Sequence, residues 1–263
     1  MGEDTLISHA KPKFSVVIPS YQRPALVHEA LNSVLAQTLT KFTITIVESP
    51  STSMIDLSNL VEGIRIVRPQ ERLGAAKARN AGADVSRSDY VAFLDDDDLW
   101  DTNYLSEIAK AIRYHSDGGR EPDVLCGRLV RDDGSDAQSP RRLFREFRAA
   151  LWANPGVTGS NLVVRRGFFE AIGGFDPSLE PSEDRDFVVR SLDAEALIVR
   201  VPAAISRIRN VSDERISSRF VRSNLKMIYR HRGKTSGREK ALALTLIFYQ
   251  LIRPIYKRLF PPD

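Results

Sequence analysis

Cysteine is almost absent: Cys126 stands alone among 263 residues, so no internal disulfide can form and no thiolate zinc site can be built. Nothing in this usage points to an oxidising compartment. Long apolar runs are missing too. The longest nearly uncharged one, Ala241 to Ile252, has 12 residues, whereas a bilayer core takes about 20, so no spanning helix is expected. Met1 to Lys13 lacks the apolar centre of a secretory signal and reads as a short tail. No set of stacking aromatics interleaves with the basic residues, which argues against nucleic acid as a partner. Internal repeats and long linkers are also absent.

What is present is the balance of an ordinary soluble globular protein, with 42% hydrophobic and 27% charged residues. The net charge of +4 is unevenly placed: Arg219 to Lys240 holds eight Lys or Arg against the single acid Glu239. These basic segments predict either a solvated face or peripheral contact with a membrane surface. The expected location is cytoplasmic, at the inner face of the membrane if that contact is made.

Phe14 to Pro19 is a β-branched run closed by proline, the pattern of a buried strand meeting a loop. Pro24 suits the first turn of a helix on which Val27, Leu31, Val34 and Leu35 share a face. With a strand at Thr43 to Val47, this predicts a βαβ unit and a parallel sheet. Ile64 to Val67 reads as a strand, Gly74 to Ala83 as a helix of small residues, and Tyr90 to Leu94 as an apolar strand running into Asp95-Asp96-Asp97-Asp98. Helices are further expected at Thr102 to Tyr114, Pro140 to Trp152 and Arg185 to Leu192, and strands at Asp123 to Val130, Val157 to Val164 and Leu197 to Arg207. Two basic helices, Asp213 to Arg232 and Arg238 to Phe260, close the chain. The fold class is α/β, divided into a tail (1–13), an N-terminal nucleotide half (14–116), a C-terminal half of the same domain (117–212) and basic C-terminal helices (213–263).

Adjacent carboxylates repel unless a counter-charge is supplied. A divalent cation shared with phosphates supplies one, and hard oxygen donors suit Mg²⁺ or Mn²⁺. Ligands of open parallel sheets bind at the carboxyl ends of strands, where these aspartates fall. That placement favours a metal site over a solvated acidic loop, and the spacing of an EF-hand is missing.

Ser-Val-Val-Ile-Pro-Ser-Tyr-Gln-Arg-Pro at 15–24, Ser-Val-Leu-Ala-Gln-Thr at 33–38, Gly-Ala-Ala-Lys-Ala-Arg-Asn-Ala-Gly at 74–82 and Val-Ala-Phe-Leu-Asp-Asp-Asp-Asp-Leu-Trp at 91–100 resemble successive motifs of family 2 glycosyltransferases. Gly-Ser-Asn-Leu-Val-Val-Arg-Arg at 159–166, Ile-Gly-Gly-Phe-Asp at 172–176 and Glu183-Asp184 are similar to the acceptor half of that family, in the same order. The resemblance implies a GT-A fold, Rossmann-like with a mixed central sheet. It also implies inverting, metal-assisted transfer of one sugar from a UDP-, dTDP- or GDP-linked donor to a hydroxyl of a glycan, lipid-linked saccharide or small-molecule acceptor.

The same resemblance distributes the roles. Pro19, Tyr21 and Arg23 belong to the nucleotide cradle, and Glu48 stands where an acid reads the base. Arg79 contacts the nucleotide. Asp95 and Asp97 form the Asp-x-Asp pair for the metal, with Asp95 or Asp96 on the ribose, while Asp98 is expected to cap the next turn. Asp184 is the general base and Glu183 its alternative, on a helix start that Ser182 is placed to cap. Ser206-Arg207-Ile208-Arg209 replaces a segment in which relatives carry a histidine, leaving Arg209 to contact the diphosphate. The Gln-x-x-Arg-Trp segment of processive members is absent. A nucleotidyltransferase of related fold and a non-catalytic basic scaffold are the alternative readings.

Overall fold

A computed structural model describes residues 14–51, 63–137, 154, 156–209, 218–231 and 233. The expected tail, the helix at 140–152 and the second basic helix at 238–260 lie outside the described residues. The elements follow the order β1 (Phe14–Ser20), α1 (Pro24–Leu35), β2 (Phe42–Glu48), β3 (Ile64–Val67), α2 (Ala75–Asp84), β4 (Tyr90–Phe93), β5 (Leu99–Trp100) and α3 (Tyr104–Asp117). Then come β6 (Val124–Arg131), β7 (Leu162–Arg165), α4 (Arg166–Ala171), α5 (Glu183–Asp193), β8 (Ile198–Ile208) and α6 (Ser218–Arg230).

The strands form one eight-stranded sheet in the order β3-β2-β1-β4-β7-β6-β8-β5. The first four are parallel; β7 is antiparallel to both β4 and β6, β8 is parallel to β6, and β5 is antiparallel to β8. The sheet is therefore mixed, as expected, and its parallel half ends its strands on the side where the aspartates emerge.

Period-two alternation sorts β1 between two cores. Phe14, Val16 and Ile18 pack with Val27, Leu31 and Val34 of α1 and with Leu105, Ile108 and Ile112 of α3. Val17 faces the other layer, with Ala76, Ala78 and Ala83 of α2 and the rings of Phe169, Phe175 and Phe187. Each aliphatic side chain buried in this way contributes about 1.5–3 kcal/mol. The small residues of α2 let its backbone lie close to the sheet: a Cβ on Gly82 would stand 3.1 Å from Val17 Cγ2. That close approach fixes the depth of Arg79 on the same helix.

Three boundaries differ from the expectation. The strand foreseen at Val157 to Val164 is confined to β7, because Asn161 ties the preceding loop instead. Its side chain donates to the carbonyls of Gly127 and Gly156 at 2.7 and 2.8 Å and accepts the Thr158 N–H at 2.9 Å. The helix foreseen from Arg185 begins two residues earlier, at Glu183. Of the basic helix foreseen at 213–232, Ser218–Arg230 is helical and 210–217 lie outside the described residues. Among the described residues no helix is long and apolar enough to cross a membrane.

Candidate active site

At the carboxyl ends of β1 and β4 a cleft of about 680 Å³ opens. Pro19, Tyr21 and Arg23 line it from the loop after β1, Arg79 from α2, Asp95, Asp96 and Asp97 from the loop after β4, and Glu183 and Asp184 from the start of α5. Residues expected to bind donor, metal and acceptor proton thus meet in one cavity across a sequence span of 165 positions, from Pro19 to Asp184.

Arg79 is the centre of the arrangement. It is 4% exposed, and its guanidinium donates to Asp95 Oδ1 at 2.5 Å and to Glu183 Oε1 at 2.8 Å. Burial disfavours its charge, but Asp95 and Glu183 outweigh that and hold it protonated. A Cβ at Gly159 would stand 2.5 Å from Arg79 Nε, so the absence of a side chain there makes room for the fork. The residue expected to touch the nucleotide is thus occupied in joining the two carboxylate sites.

The four aspartates divide. Asp96 is 8% exposed and accepts from the Tyr21 N–H and Arg23 Nη1, both at 3.4 Å. Arg23 also donates to Asp97 Oδ2 at 2.7 Å. The intervening Gln22 has φ 58°, a left-handed conformation seldom held by residues other than glycine, and the Arg23 side chain crosses to the aspartate loop. Burial first, and Asp97 second, push the Asp96 carboxyl up to about 6. Asp98 is turned away from the cleft. It accepts from Ser160 Oγ and, at 3.1 Å, from the Arg209 N–H, and burial together with Asp95 pushes it up to about 7. Asp98 therefore ties distant loops together and does not cap the next turn as expected.

Asp184 is half-buried in the first turn of α5 and faces the cleft. Burial and the adjacent Glu183 push its carboxyl up to about 7, against the opposing charge of Arg79. Its neighbour Glu183, 5% exposed, spends Oε1 on Arg79, while Oε2 is buried with no hydrogen-bond partner among the described residues. Ser182 holds the cap position but makes no capping hydrogen bond, contrary to expectation.

Two expected contacts are not brought to the cleft. Glu48 is 2% exposed and pairs with Arg68 Nε at 2.9 Å, beside the cavity and not lining it. Arg209 donates to the Asp97 carbonyl at 2.7 Å and to Glu29, and it too stays off the cavity wall. Arg72 and Glu180, which do line the cleft, were not foreseen. The Arg72 guanidinium stacks on the Tyr21 ring at 3.9 Å, a cation–π contact between loops that no local pattern announces.

The sequence profile of Glycosyl transferase family 2 matches residues 15–173. The chain belongs to that family. An uncharacterised glycosyltransferase of Haemophilus influenzae is 26% identical over 182 residues, covering 68% of this chain and 61% of that protein. The succinoglycan biosynthesis protein ExoW of Rhizobium meliloti is 42% identical over 115 residues, covering 40% of this chain and 36% of its own. This chain thus spans less than two thirds of either relative. Among solved structures, a mannosyltransferase of Pyrobaculum calidifontis in complex with GDP-Man and Mn²⁺ superposes with a TM-score of 0.63 at 18% identity, over 92% of this chain and 70% of that one. The family 2 membership and this likeness agree on the GT-A fold.

Proposed function

We propose that the chain transfers a single sugar, with inversion, from a nucleotide-diphosphate donor to a hydroxyl of a glycan, lipid-linked saccharide or small-molecule acceptor. The observation that carries this reading is the placement of Asp184. A carboxyl pushed up to about 7 shares one cleft with Asp95–Asp97 and is mounted on a helix start, where it is rigid. A base with a pKa near the working pH removes the acceptor proton most effectively, and inversion needs that base on the face opposite the leaving diphosphate. Tyr21, Pro19 and Arg72 form an apolar and cationic wall suited to a nucleotide. Arg23, which bridges Asp96 and Asp97, stands ready to meet the diphosphate.

The donor set fits a divalent cation. Asp95 and Asp97 both line the cleft, beside Asp96, and three adjacent carboxylates favour a shared counter-charge. Asp97, with Asp95, would hold Mn²⁺ or Mg²⁺, the remaining ligands coming from diphosphate and water. Among the described residues no three acidic, histidine or cysteine side chains form a complete cage. When bound, such an ion offsets the charge of the departing diphosphate.

Peripheral membrane contact is supported by α6, whose outward residues Arg222, Leu225, Lys226 and Tyr229 are all exposed and alternate cation with apolar group. Such contact would place the enzyme in the cytoplasm, at the inner membrane face, next to a lipid-linked acceptor.

A panel of UDP-, dTDP- and GDP-sugars with Mn²⁺, read by nucleotide release and thermal shift, tests the reading. One donor should both stabilise the protein and release its nucleotide, and chelation or Asp97→Ala should remove the metal-dependent part of the shift. Silence across the whole panel would reject it.

A further inference from the structure

The loop that delivers Glu183 and Asp184 to the cleft runs from Asp176 to Ser182, and one of its residues has a partner far away in the chain. Glu180 Oε1 accepts the N–H of Ala76 at 2.7 Å, across 104 positions, in the first turn of α2. The first N–H groups of a helix lack partners within it and favour an acidic one. The approach is closer than a side chain at residue 74 would permit. A Cβ on Gly74 would stand 2.5 Å from Glu180 Oε1 and 2.7 Å from Cδ. Gly74 has φ −74° and ψ 171°, a conformation open to any residue, so glycine serves here for room and not for flexibility.

Two joints therefore connect α2 to the loop and to the start of α5. Ala76 meets Glu180, and one turn further along α2 Arg79 meets Glu183. Asp184 follows directly after the second joint. Glu180 also lines the cleft, half-buried.

We infer that Glu180 is a positioning residue for the base: its carboxylate latches the Asp176–Ser182 loop to the donor-side wall and sets where Asp184 stands against the bound donor. The inference rests on the reading of Asp184 as the base. Two substitutions release the latch by independent routes. Glu180→Ala removes the acceptor, and Gly74→Ala leaves Glu180 intact but displaces its carboxylate. Glu180→Gln keeps an oxygen for the Ala76 N–H.

The experiment compares the three variants with the wild type by hydrogen–deuterium exchange of peptides covering 177–184 in the free protein. It also compares kcat for transfer and the affinity for UDP or GDP by calorimetry. Glu180→Ala and Gly74→Ala should lose exchange protection in 177–184 and lower kcat by about a hundredfold, the scale of a 1 Å misplacement, with nucleotide affinity within a few-fold of wild type. Glu180→Gln should keep the protection and recover most of kcat. Wild-type exchange in Glu180→Ala, or wild-type kcat in both latch-releasing variants, overturns the inference. Glu180→Gln as impaired as Glu180→Ala with protection intact also overturns it, because the charge would then act in the chemistry. If the wild type transfers no sugar from any donor, the proposed function fails, and the exchange comparison alone still decides whether the latch exists.

Discussion

Arg79 stands between Asp95 and Glu183, 2.5 Å from one carboxylate and 2.8 Å from the other, so one buried guanidinium holds the aspartate loop after β4 to the start of α5. Removing one partner of a buried ion pair costs about 3–5 kcal/mol because it leaves the other charge uncompensated. Arg79→Met should lose stability of that order in urea denaturation. Arg79→Lys should lose less, since it keeps a charge but not a planar fork that reaches two carboxylates at once. An Arg79→Met variant as stable as wild type would show that the bridge is dispensable.

The Asp184 carboxyl, pushed up to about 7 by burial and by Glu183, accepts a proton only when ionised. Transfer, measured as kcat/KM, should therefore rise with pH through about 7 and level off above it. Asp184→Asn should cut kcat by about 10²–10⁴ while leaving binding of UDP or GDP nearly intact. Glu183→Gln removes one of the two causes that raise Asp184 and leaves the charge of Arg79 beside it, so the inflection should move below 7. Near-normal turnover in Asp184→Asn would move the role elsewhere.

Much of this arrangement could be read in advance, and the unreadable part has a common cause. The βαβ rhythm, the small-residue face of α2 and the aspartates after β4 are local patterns, set by period and strand ends. The place of Asp184 was indicated by the family resemblance of Glu183-Asp184 and not by any local period. Glu180, Arg72 and the partners of Asp98 were not, since each is defined by a contact spanning tens to over a hundred positions. The surroundings of Glu48 were hidden for the same reason: its position at the end of β2 was visible, but its pairing with Arg68, just after β3, was not. β5 has two residues, too few for any alternation to show.

Asp98 gives a stability prediction with a definite sign. Its folded carboxyl sits near 7, against an ordinary value of 3.8. Between those values the folded state holds a proton that the unfolded chain has released, so stability falls as pH rises through this window. Asp96 and Asp184 titrate in the same direction. Asp98→Asn keeps an oxygen for the Arg209 N–H and removes one titration, so its unfolding free energy should fall less steeply between pH 4 and 7 than that of wild type. Asp98→Ala leaves two buried donors without an acceptor and should cost about 1–3 kcal/mol. Identical pH slopes for wild type and Asp98→Asn would contradict the assignment.

The start of α5 is also held from the side of α6. Asp186, fully buried one turn from Glu183, accepts from Arg190 Nε at 2.7 Å and lies 3.5 Å from Arg230 Nη1 and 3.4 Å from His231 Nε2. Arg230 reaches Asp176 as well, and Ser223 Oγ donates to the Leu179 carbonyl, so α6 grips the start and the middle of the loop that carries Glu180. Burial would raise the Asp186 carboxyl, but the hydrogen bond from His231 and the charges of Arg190 and Arg230 overcome it and hold it below the usual range. A depressed carboxylate contributes stability that is present at neutral pH and is lost as pH falls through its folded value. Asp186→Asn should therefore destabilise the protein by about 3–5 kcal/mol at pH 7. Its deficit should shrink in acid, and exchange should quicken in α6 and in 177–184 together. Arg230→Ala removes a half-exposed partner and should cost only about 0–1 kcal/mol. If Asp186→Asn loosened α6 without touching 177–184, the grip on that segment would belong to the α2 joints at Glu180 and Glu183.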